Sequence, residues 1–178
     1  MSAIRLAEKD SAEAGNVMVL TPDMVTGDFI QSVSRMRPLW SPHTSSGGGV
    51  SLAENKRLFY RYLYLNGITD RELADALHAR VFEVTAAIFG SDQALPVLGG
   101  NSQKITDGAI QAEASKYKEF ISSADKQGVY EPTLNYIVVA SEAEPDYSRL
   151  DRWYRRELIG ESGGFRVYRL SVQHSIAG

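Results

Sequence analysis

The sequence predicts an α/β fold: a small three- to four-stranded, mainly parallel sheet flanked by helices, with a helical insertion between strands 2 and 3. Three observations point there. Short apolar runs at 17–20 and 136–140, each bounded by turn residues, read as buried strands. Capped amphipathic segments between them read as helices. The two kinds of element alternate along the chain, the pattern of a layered α/β domain.

Taken in order, residues 3–14 carry Ala, Glu and Lys around Ile4 and Leu6 and predict a short helix, which Gly15-Asn16 ends. VMVL at 17–20 is the first strand. Thr21-Pro22-Asp23 then offers a cap and a proline suited to a first helical turn. Met24, Phe29, Ile30 and Val33 are expected to line one side of that helix. Arg37-Pro38 closes it, and 39–41 is expected to be a second strand.

The loop 42–50 brings together Pro42, His43 and the triplet Gly47, Gly48 and Gly49. Ser51 with Glu54 matches a capping box, and Phe59, Tyr60, Tyr62, Leu63 and Tyr64 fill the helix behind it. A second box, Thr69 with Glu72, opens the clearest periodic stretch. Leu73, Leu77, Val81, Val84 and Ile88 are spaced four, four, three and four apart, which predicts one continuous helix face ending at Phe89-Gly90. Residues 91–105 read as irregular, around Pro96 and Gly99-Gly100.

Thr106 caps another helix bearing Ile110, Ala114, Tyr117 and Ile121, and YIVVA at 136–140 is the strongest strand signal. Leu150, Trp153, Tyr154 and Leu158 predict a last helix, released by the glycines of 160–164. Residues 165–170 alternate apolar with basic, as a half-exposed strand does. Residues 172–178 read as a frayed tail. At 178 residues the chain is expected to form a single domain, 1–178, with the insertion at about 51–123.

Composition removes some chemistries. A net charge of −3 gives no general attraction for nucleic acid. The absence of cysteine excludes disulfides, thiolate nucleophiles and cysteine–zinc sites. The three histidines lack metal-binding spacing, and no cofactor is expected. No segment has the length of apolar run needed to span a bilayer.

No complete catalytic motif occurs. The glycine loop before Ser51 offers backbone N–H groups at a helix start, where an anion can sit. It lacks the Gly-Lys-Ser/Thr of a phosphate-binding loop and the spacing of a dinucleotide fingerprint. The candidate ligand residues are therefore His43, Gly47, Gly48, Gly49, Ser51 and Arg57, against the commoner use of such a segment as a surface loop. Arg57, Arg61, Arg152, Arg155 and Arg156 are interleaved with aromatics, a mixture used to dock another domain or to stack on flat ligands.

Several pieces together resemble the soluble C-terminal region of polytopic membrane proteins of the GT-C glycosyltransferase kind and their uncharacterised relatives. They are VMVLTPD, RMRPLWSPH, ENKRLFYRYLYLNG, NYIVVASE and GGFRVYRL. The resemblance implies that Met1 is a fragment start, with membrane helices upstream, and that the domain lies on the extracytoplasmic side. Its partners would be the membrane-spanning portion of the parent and a lipid-linked sugar. The catalytic acid would lie in that missing portion, leaving this chain an accessory domain for glycosyl transfer or envelope polysaccharide handling. The insertion is longer than the simplest members of that group carry. The competing expectation is a stand-alone protein that binds an anionic ligand at loop 43–51.

Overall fold

Five strands form one mixed sheet: β1 (Met18–Leu20), β2 (Arg37–Pro38), β3 (Tyr136–Ala140), β4 (Tyr154–Ser162) and β5 (Phe165–Val172). The computed structural model describes residues 3–10, 17–45, 50–98, 105–131 and 133–173. Seven helices accompany the strands among these residues: α1 (Ala3–Asp10), α2 (Met24–Val33), α3 (Leu52–Leu65), α4 (Asp70–His78), α5 (Phe82–Phe89), α6 (Ser91–Leu98) and α7 (Asp107–Gln127). The chain divides into two compact units, 1–41 with 129–178 and 42–128.

The first unit holds the sheet, in the order β2-β1-β3-β5-β4. β1 lies parallel to β2 and to β3, while β5 runs antiparallel to β3 and β4. The α/β class is as expected, but the sheet is larger than predicted and its antiparallel ladders carry most of the pairing. The reason lies at 150–162. Leu150, Trp153, Tyr154 and Leu158 have helical spacing, yet only 150–152 make a helical turn, of 3-10 type, before β4 begins. Gly163 and Gly164, at φ 63° and 79°, form the two-residue turn of a β-hairpin rather than the release of a helix. Eight cross-strand pairs with β5 outweigh the local helical pattern.

β2 is Arg37–Pro38 rather than 39–41. The N–H groups of Arg37 and Leu39 donate to Val17 and Val19 at 2.8 and 2.7 Å, so the pairing comes two residues earlier than expected. Asn135 fastens the start of β3. It donates from its backbone to Met18 at 2.9 Å, and its side chain accepts the Met18 N–H at 2.8 Å. α1 and α2 cover one face of the sheet, placing Ala7 and Ile30 in a common core with Val19, Tyr136, Val138 and Val167.

The second unit is helical and occupies the expected insertion between β2 and β3. Thr69 and Glu72 form a reciprocal capping box at the start of α4. The continuous helix expected from Leu73 to Ile88 is instead α4 and α5, separated at 79–81. Val81 N–H donates to Ala76 and Arg80 N–H to Leu77, both at 3.1 Å, and Arg80 has a φ of 56°. This is a Schellman closure with arginine where glycine is usual, so no glycine or proline marks the break. The stretch expected to be irregular contains α6, with Pro96 inside it. The tail beyond residue 173 lies outside the described residues.

Candidate functional site

Of the expected ligand residues, Gly47, Gly48 and Gly49 lie outside the described residues. His43 sits exposed in a 3-10 turn, Pro42–Ser45. Ser51 caps α3, its hydroxyl accepting the Glu54 N–H at 3.2 Å. The Glu54 carboxylate does not close the box. It takes both Nε and Nη2 of Arg57, at 2.9 and 2.8 Å, and that pairing holds the carboxyl below its ordinary value. Ser51 and Arg57 are thus both engaged in the local order of the α3 start.

The carboxyl edge of the parallel strands, where open α/β sheets hold ligands, is closed around Thr21 and Ser41. Both are buried, and Gln31 Nε2 donates to the Ser41 hydroxyl at 3.2 Å. Gly27 of α2 approaches them so closely that an added Cβ would lie 3.1 Å from Thr21 Oγ1 and 3.4 Å from Ser41 Cβ. The missing side chain lets the helix seat directly on the strand ends.

The second unit contains a polar cluster that sequence reading missed. Glu113 of α7 is 3% exposed. Its carboxylate accepts from the Tyr60 hydroxyl, from Lys56 Nζ at 2.8 Å and from Lys116 Nζ at 3.4 Å. Burial works against its ionisation, but the Lys56 and Tyr60 hydrogen bonds and the two lysine charges prevail and hold the carboxyl below its usual value. Burial, reinforced by this carboxylate, pushes the Tyr60 hydroxyl up, so it stays a donor. Tyr60 also packs on Tyr117 and Phe120, with ring centroids 5.0 and 5.6 Å away. Lys56 and Tyr60 are one turn apart on α3, but nothing in the sequence ties them to an acid 53 residues after Tyr60. The Glu113 carboxylate is committed to these three donors, so the cluster joins α3 to α7.

The arginines picked out beside aromatics separate into different roles. Arg61 is buried at 2% exposure. Arg156 lies 4.1 Å from the Tyr147 ring centroid and 5.5 Å from that of Tyr168, and grips Asp151 with Nε and Nη2 at 2.5 and 2.8 Å. Burial pushes the Tyr147 hydroxyl up to about 12. Arg156 therefore clamps the 146–151 segment onto the sheet. Arg152 lies 5.5 Å from the Trp153 ring, and Arg155 is exposed on β4.

One feature of α2 stands apart. Ile30 and Gly27 face the core, yet Val25, Phe29 and Val33 are 76, 53 and 47% exposed. These three recur every four residues and form one ridge. Sequence spacing grouped Phe29 and Val33 with Ile30; in the fold Ile30 is buried while the other two stand on the neighbouring, exposed side of the helix. Among the described residues no group of histidines and carboxylates is arranged to hold a metal ion, and no helix is long and apolar enough to cross a membrane. No protein-family model, curated protein or solved structure matches the chain.

Proposed function

We propose that this chain is an accessory, non-catalytic domain of a larger membrane protein concerned with lipid-linked sugars or envelope polysaccharide, and that the outer side of α2 is the surface it turns to the membrane. The observation that carries this reading is the apolar arc of α2, which runs on past its buried side to Val33, Phe29 and Val25. An apolar arc wider than the stripe its own core covers presents the remainder to a further partner. The sheet covers Ile30, and among the described residues Val25, Phe29 and Val33 are left exposed. The ridge amounts to on the order of 300 Å² of apolar surface, the scale of the largest patch on a typical monomer, which is often functional. The resemblance described above supplies the membrane context.

The competing ligand-binding reading has less support. Thr21 and Ser41 are sealed under Gly27, Ser51 is occupied in capping α3, and Arg57 is paired with Glu54.

Fractionation of the source cells, blotted with an antibody to this domain, tests the proposal. We expect a band far larger than this chain, released from membranes only by detergent. A band at the size of this chain in the aqueous fraction would overturn it.

A further inference from the structure

We infer that the α2 ridge meets lipid itself, at the headgroup boundary of an anionic bilayer; the inference rests on the accessory-domain reading above and names the partner of the same face. Two observations select lipid over protein. The first is area. A ridge on the order of 300 Å² is below even the apolar share, a little over half, of the roughly 800 Å² that each partner contributes to a stable interface. A second copy or a free protein would not be held by it alone, whereas a bilayer is a continuous apolar phase into which a single helix face can settle.

The second is charge. Arg35 and Arg37 are exposed just beyond the C-terminal end of α2. Glu8 of α1 accepts the Arg35 N–H at 3.3 Å, so α1 passes this same end, and the next residue, Lys9, is exposed too. None of these three side chains has a carboxylate partner among the described residues. The carboxylates of this helix lie away from that end: Asp23 caps α2, accepting the Thr26 N–H and hydroxyl at 2.7 Å each, and Asp28 is half-buried, so the positive charge is confined to the C-terminal end of the ridge. Exposed cations beside the end of an apolar ridge match anionic headgroups above acyl chains. The chain's net charge of −3 gives it no general attraction for such a surface, so the attraction must be local.

The test is co-sedimentation of the 178-residue chain with vesicles of phosphatidylcholine, with and without phosphatidylglycerol. We expect binding to the anionic vesicles and weak or no binding to the neutral ones. Phe29→Ser should weaken binding about ten-fold, as loss of a half-buried aromatic contact implies. The double variant R35Q/R37Q should weaken it about five-fold per arginine, with a shallower salt dependence. All these positions are exposed, and unchanged thermal melts would confirm that the variants fold. Three results would overturn the inference: no binding to either vesicle, equal binding by Phe29→Ser, or a concentration-dependent dimer that Phe29→Ser abolishes without vesicle binding. The last would assign the ridge to a second copy. Failure here beside a detergent-extracted parent would leave the accessory-domain reading standing, with protein rather than lipid over α2.

Discussion

Replacing Glu113 by glutamine tests how the helical unit is held together. The buried carboxylate accepts from Tyr60, Lys56 and Lys116, and the amide would keep its shape while losing its charge. A hydrogen bond to a charged group is worth about 1 kcal/mol more than a neutral one, so the Tyr60 contact accounts for roughly that loss. The lysine contribution must be discounted. Lys56 is 25% exposed and Lys116 63% exposed, so both can turn to water, and the pair energy approaches the surface range of about 0–1 kcal/mol. Together these give about 1–2 kcal/mol. For a chain of this size that lowers the Tm by roughly 2–8 °C.

The pH dependence provides a sharper check. The folded carboxyl lies below its unfolded value of about 4.3, so its stabilisation is complete above that pH and is lost as pH falls through the folded value. Thermal melts of the parent and Glu113→Gln, followed by circular dichroism from pH 7 to pH 3, should therefore converge in acid. A glutamine variant that melts with the parent at pH 7, or a gap that persists unchanged at pH 3, would refute the reasoning.

Arg80→Gly should stabilise the chain by roughly 0.5–1 kcal/mol, because glycine adopts the left-handed conformation at φ 56° without the steric cost an L side chain bears there; urea melts would read it. Gly164→Ala should destabilise by about 1 kcal/mol through backbone strain alone, since nothing lies within 4 Å of the added Cβ, and chemical denaturation would show it. Thr69→Ala removes the acceptor of the Glu72 N–H and half of the reciprocal box, and should cost about 1 kcal/mol in the same melts.

What the sequence made legible was local. The α4 cap, the long α7 and the β3 run depend on neighbours within a few residues, and each lies close to where spacing placed it. What it concealed depended on distant partners. β4 carries a helical pattern of large side chains, and only its ladder with β5 makes it a strand. Arg80 ends α4 without the glycine that would announce it. Glu113 reads as one more acid on an exposed helix until α3 brings Lys56 and Tyr60 to it. The α2 ridge was present in the spacing of Val25, Phe29 and Val33, but which side faces the sheet is decided by Ile30 and by the close seat at Gly27.

The central claim is that the ridge is covered when the protein is in place; these 178 residues contain no cysteine, so one introduced here is measurable against the labelling of the unsubstituted protein. A single cysteine would be introduced at Val25 in the protein expressed in its source cells, with a second variant carrying it at the exposed Leu158 on the hairpin. Maleimide labelling would be compared in intact membranes and after detergent. We expect position 25 to be protected in membranes and released by detergent, with position 158 reacting alike in both. Equal labelling of position 25 before and after detergent would contradict the claim.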